Sequence, residues 1–111
     1  MDDTASIAIN GSTKLLAIIG DPIAQAGSPG VFNPRLRRAG LNAVLVPLHV
    51  PQAAFEEAMR GLMRVANLTG IILTLPFKHR ALALVDHVGE TGRQVGAVNT
   101  MRREPDGRWS G

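Results

Sequence analysis

Gly70-Ile71-Ile72-Leu73-Thr74-Leu75 carries apolar side chains at positions of both parities, so both faces of its pleat need cover. A strand with two dry faces belongs in the middle of a parallel sheet flanked by helices. The preceding segment, 51–65, repeats Ala54, Phe55, Ala58, Met59, Leu62 and Met63 at three- and four-residue intervals, with Glu56 one turn ahead of Arg60. That is the pattern of an amphipathic helix. Residues 43–50 are β-branched and aliphatic and read as a strand; Pro47 has no N–H for a ladder, which puts the strand near a sheet edge or at a bulge. Further back, Ser28-Pro29 opens a helix of about three turns that Gly40 closes, within which Pro34 is expected to introduce a split or a kink. The first strand is the run 14–19, stopped by Gly20, Asp21 and Pro22.

Beyond the central strand a third helix is expected over 76–85, a short one over 90–95 and a strand over 97–102. Pro105-Asp106-Gly107 is strong turn chemistry, because Pro presets φ, Asp bonds its own backbone and Gly takes the left-handed position. A hairpin follows from it. The returning stretch Arg108-Trp109-Ser110-Gly111 is shorter than a usual strand, which leaves Trp109 little to pair with and reads as an element cut short. Strands separated by crossover helices imply an α/β fold, a three-layer αβα sandwich around a mostly parallel, twisted sheet with right-handed connections. The expected division is an N-terminal leader over 1–13 and one domain over 14–111.

At 111 residues, 45% hydrophobic and 19% charged, the chain has the means for a single core and lacks the composition of a disordered segment. No apolar run approaches the ~18 residues that a membrane span needs. The first residues include Asp2 and Asp3 and no basic region ahead of a long apolar stretch, so no secretory signal is read and a cytoplasmic location is expected. The absence of cysteine removes disulfides, thiolate metal sites and cysteine nucleophiles. The net charge of +3 is too small to argue for polyanion binding, and neither nucleic acid nor membrane is expected as a partner.

Ligands of an open parallel sheet sit beyond the carboxyl ends of its strands. Three places qualify: the loop 20–28, the turn 74–78 and the surroundings of Asn99 and Thr100. Ser28 reads as a helix N-cap or as a hydroxyl for a ligand carboxylate or phosphate. Lys78 is one of two lysines among twelve basic residues and stands in the first turn of the expected helix. The helical field there disfavours its charged form and makes it a candidate proton donor and acceptor, with a solvated surface lysine as the bland alternative. Thr74 reads as a cap of the same helix or as a contact to a ligand. Asn99, amid Ala97, Val98 and Met101, wants partners in the backbone or in a ligand hydroxyl. His49, His79 and His87 lack metal-ligand spacing, and no metal is expected. Arg35, Arg37 and Arg38 read as the solvated face of a helix. No G-x-G-x-x-G occurs, so the chain carries no dinucleotide fingerprint of its own.

Taken together, Gly20-Asp21-Pro22-Ile23-Ala24, Ser28-Pro29, Thr74-Leu75-Pro76-Phe77-Lys78 and Gly96-Ala97-Val98-Asn99-Thr100 closely resemble the substrate-binding domain of shikimate dehydrogenases. The resemblance covers about 14–111. It implies a two-domain oxidoreductase of the shikimate pathway, in aromatic amino acid biosynthesis, that interconverts 3-dehydroshikimate and shikimate with NADP, or a quinate-handling relative. By the same resemblance Lys78 is the catalytic lysine, Ser28 a carboxylate-binding serine, and Thr74 and Asn99 substrate contacts. NADP is held mainly by a domain that these residues do not include. Ala26 stands where the family pattern has a second serine, Gln25 where histidine is frequent, and Ile72 where asparagine is usual. These departures point to a divergent branch, with shikimate or another cyclic hydroxy acid as substrate. The family's catalytic aspartate follows the glycine matched by Gly111. The 111 residues alone are therefore expected neither to reduce a ketone nor to bind NADP tightly. The alternative is a stand-alone module that binds a small carboxylate without turnover. The expected partner is a small molecule, and the expected state a monomer or homodimer.

Overall fold

The computed structural model describes residues 8–111, so residues 1–7 of the expected leader lie outside the described residues. Strands β1 (Lys14–Gly20), β2 (Ala43–His49), β3 (Leu68–Leu73), β4 (Thr100–Arg103) and β5 (Trp109–Ser110) form one sheet in the order β2-β1-β3-β4-β5. β1 is parallel to β2 and to β3, whereas β4 is antiparallel to both β3 and β5. All strands except β4 thus point the same way, and β3, with its two apolar faces, takes the centre. The step from β1 to β2 and the step back past β1 to β3 run in opposite directions. Crossovers of the usual hand then lay α1 (Ser28–Arg38) and α2 (Phe55–Leu62) on opposite faces. Among the described residues no helix is long and apolar enough to cross a membrane.

The main core lies on the α2 face, where Ala17, Ile19, Ile71, Leu73 and Met101 of the sheet meet Phe55 and Met59 of α2 together with Phe77, Ala81 and Trp109. The Phe55 and Phe77 rings stack with centroids 4.1 Å apart, worth about 0.5–1.5 kcal/mol beyond the area they bury. On the other face Ile18 and Leu45 are buried, while Leu16 and Ile72 stay half-covered.

β2 is the edge strand that Pro47 announced, and the edge is finished by a side chain. Asn33 of α1 accepts from the Leu45 N–H at 2.7 Å and donates to the Leu45 carbonyl at 3.0 Å, standing in for a missing strand. Pro47 lies two residues on and therefore faces the same open edge, where no donor is needed. α1 runs unbroken through Pro34, without the split that was one of the two expectations for it, and ends in a Schellman turn: Gly40 at φ 73° donates to Arg37 and Leu41 donates to Leu36.

Two expected helices are shorter than their patterns. The segment 51–65 forms a 3-10 turn (Gln52–Ala54) and α2, and stops at Leu62. Its last carbonyls are taken from outside: Met63 accepts from Arg103 at 2.7 Å and from Trp109 Nε1 at 3.1 Å, and Val65 accepts from Arg103 at 2.9 Å. The segment 76–85 holds only a 3-10 turn, Arg80–Ala83. In an α-helix the Lys78 carbonyl would receive the Leu82 N–H; here Val98 N–H takes it at 2.8 Å and Leu82 turns to His79 instead. The expected strand over 97–102 begins at Thr100 for the same reason, because Ala97 and Val98 bond to Gly92 and Lys78. α3 (Glu90–Val95) forms where expected and ends at Gly96, φ 73°. Trp109 is far from idle: it is 3% exposed, its N–H donates to Asp86 at 2.8 Å, and Arg103 lies 4.6 Å above its ring.

Asn33→Ala leaves two groups of a nearly buried residue without partners. It should lower the urea-unfolding free energy by about 1–3 kcal/mol, with the midpoint shifting at constant slope.

Candidate functional site

The connection after β1 departs toward β2, and the connection after β3 departs toward β4. Between these diverging loops, beyond the carboxyl ends of β1 and β3, an open sheet has its natural crevice. Two hydrogen bonds fasten its floor: Thr74 N–H to the Ile19 carbonyl at 2.9 Å, and Asp21 N–H to the Leu75 carbonyl at 3.2 Å. Gly20 has to be glycine. A Cβ there would overlap the Thr74 methyl and press on the Leu75 carbonyl at 3.3 Å.

Because β4 is antiparallel, it begins where β3 ends. Leu73 N–H bonds to the Asn99 carbonyl at 2.8 Å, Val98 N–H to the Lys78 carbonyl at 2.8 Å, and Phe77 N–H to the Thr74 carbonyl at 3.0 Å. Thr74, Lys78 and Asn99 are thereby gathered into one backbone knot. Ser28 enters at the same end of the sheet through the β1–α1 loop, but no described hydrogen bond joins it to that knot.

Each residue differs in detail from its expectation. Gly27 occupies the N-cap of α1, and Ser28 is the first helical residue, with no capping bond from its side chain. Lys78 lies in a turn, so the helical field set against its ammonium is not there. It is half-buried, and its ammonium has no hydrogen bond or ion pair with another described residue. Thr74 caps no helix. Asn99 is exposed rather than enclosed by apolar neighbours, and lines a cleft of about 370 Å³ with Thr91, Thr100 and Gly111. Of the departures, Gln25 turns back to the Pro22 carbonyl at 3.4 Å and Ile72 sits half-buried on the pleat opposite Leu73.

Asp21 and His49 escaped the sequence reading. His49 Nε2 lies 2.8 Å from Asp21 Oδ1, and Gln52 N–H donates to Asp21 Oδ2 at 3.2 Å, tying the ends of β1 and β2 together at the rim. Only the pairing of β1 with β2 brings these residues into contact, so no local signal could have found them. Arg80 and Glu56 were missed likewise. Arg80 donates to Glu56 at 2.9 Å and 2.6 Å, and its hydrogen bond holds the Glu56 carboxyl below the ordinary carboxylate value, while the same partner raises Arg80. Glu104 is lowered by the Ser110 hydroxyl and by Arg102.

The start of α1 is Gly27-Ser28-Pro29-Gly30, where Pro29 removes one of the N–H groups.

A depressed carboxyl stabilises the fold above its unfolded pKa and loses that contribution as pH falls through the folded value. The stability gap between the parent protein and Glu56→Gln should therefore be present at neutral pH and close below about pH 4.5, measured as melting temperature against pH. Gly20→Ala should displace Thr74, lower the melting temperature and change the amide shifts of Thr74 and Leu75 in an NMR spectrum while sparing those of β5.

A family model described as the shikimate dehydrogenase substrate binding domain matches residues 18–101. The NADP(+) shikimate dehydrogenase of Rubrobacter xylanophilus is 43% identical over 99 residues, which span 89% of this chain and 34% of the relative. The shikimate dehydrogenase structure from Aquifex aeolicus superposes with a TM-score of 0.87 at 36% identity, covering 94% of this chain and 38% of that one. That of Listeria monocytogenes shikimate 5-dehydrogenase, in complex with shikimate and NAD, gives 0.87 at 28% identity, covering 98% and 37%. The chain thus spans about a third of the length of the curated relatives it matches. With the crevice, the lysine turn and the asparagine at the head of β4 arranged as described, the chain belongs to the shikimate dehydrogenase substrate-binding domain family.

Proposed function

We propose that the complete protein is an NADP-dependent oxidoreductase that interconverts 3-dehydroshikimate and shikimate, or a related cyclic hydroxy acid, and that residues 14–111 supply the substrate side of its site. The observation that carries this reading is the set of backbone hydrogen bonds that joins the segments bearing Thr74, Lys78 and Asn99 beyond the end of β3. The Listeria relative, solved with shikimate and NAD, supports it.

The chemistry assigned to this chain is binding and proton transfer. The Ser28 hydroxyl, released from capping, donates to the substrate carboxylate beside the first N–H groups of α1. Thr74 and Asn99 hold ring hydroxyls; an amide can donate to one oxygen and accept from another. Lys78, whose ammonium has no partner among the described residues, exchanges a proton with the reacting carbonyl or carbinol oxygen. The nicotinamide, which supplies hydride chemistry when bound, belongs to residues outside this chain.

Ala26 and Ile72, apolar where the family pattern is polar, favour a second reading: a binding module for a small carboxylate without catalysis. Turnover of the complete gene product with shikimate and with quinate, each with NADP, separates the two. Lys78→Met should lower kcat by about 100- to 10,000-fold with KM close to the parent value. Absence of turnover with both acids, together with no calorimetric heat at millimolar shikimate, would overturn the enzyme reading.

A further inference from the structure

The segment 76–85 that carries Lys78 is not held by a helix ladder, since its regular structure amounts to one 3-10 turn. It is held by side chains on either side of the lysine. Phe77 is fully buried against Phe55, and Arg80 lays its guanidinium over both rings, 5.0 Å from one centroid and 5.5 Å from the other. The same guanidinium makes two hydrogen bonds to Glu56, at 2.9 Å and 2.6 Å, and a third to the Gln52 carbonyl at 2.8 Å. On the far side the Lys78 carbonyl receives the Val98 N–H.

A planar guanidinium that is bidentate to a carboxylate and packed beside a pair of stacked rings is confined to a narrow range of orientations, which an ammonium would not be. Arg80 therefore sets the path of the backbone two residues beyond Lys78, with Glu56 in the first turn of α2 as its anchor. We infer that Arg80, locked by Glu56, is the positioning residue for Lys78 and holds the amine at its reacting distance from the substrate oxygen. This rests on the reading of Lys78 as the proton carrier. Misplacing a reacting group by 1 Å can slow a reaction by about 100-fold, so a modest drift of this turn is enough to be measured.

The test uses the complete gene product with shikimate and NADP. Arg80→Met keeps an apolar stem over the rings and removes all three hydrogen bonds. Its kcat should fall by about ten- to a hundredfold with KM within about twofold. Arg80→Lys, which restores the charge and one bond to Glu56, should recover part of that loss. Glu56→Gln, which leaves Arg80 over the rings, decides the matter in the same way if Arg80→Met does not fold. A folded Arg80→Met or Glu56→Gln enzyme with unchanged kcat, or with a change confined to melting temperature or KM, overturns the inference. Lys78→Met, run in parallel, separates the two levels. If it is inactive while Arg80→Met is fully active, only the role of Arg80 falls; if it retains full turnover, the underlying reading falls.

Discussion

Two backbone hydrogen bonds flanking the end of β3 hold the crevice together: Thr74 N–H to Ile19 on one side and Leu73 N–H to Asn99 on the other. They bring three segments far apart in sequence into one row. The direction of β4 matters as much as its presence. Were β4 parallel to β3, its first residue would lie at the opposite end of the sheet and Asn99 could not meet Lys78. Glycine at position 20 completes the arrangement by leaving space for the Thr74 methyl group.

Around this row, side chains and neighbouring loops compete with helix ladders for backbone groups. Arg103 and Trp109 occupy the carbonyls at the end of α2, Val98 occupies that of Lys78, and Asn33 serves both groups of Leu45. Each such bond is worth only about 1 kcal/mol net. They act on residues whose intrinsic helical preference differs by less than that from alternatives, so they decide where helices stop. The turn bearing Lys78 is irregular because its neighbours pulled it out of a helix, and the Arg80–Glu56 pair with the Phe55–Phe77 stack keeps it in place.

Much of the fold was legible. The central strand was readable from its double-sided apolar run, the edge strand from Pro47, α3 from the segment 90–95, and the hairpin from Pro105, Asp106 and Gly107, where Gly107 takes φ 90°. The site was half legible. Thr74, Lys78 and Asn99 were selected as polar groups of the loops expected to border a ligand, and backbone hydrogen bonds do join their segments, but the arguments attached to them need revision. Lys78 faces no helix dipole, Asn99 is not a buried amide, and Ser28 is not the cap. Periodicity reports which face a helix would bury; it does not report whether a distant N–H will claim one of that helix's carbonyls.

Local composition alone determined the strand and turn sequence, the central place of β3 and the family to which the motifs belong. These depend on side-chain polarity and on the special φ preferences of Gly and Pro, which act within a few residues. The tertiary structure alone decided that Asp21 meets His49, that Arg80 meets Glu56, and that the lysine stands in a turn rather than a helix. Those contacts join residues more than twenty positions apart, and they exist only once strand order and direction have placed α2, β1 and β4 around the end of β3.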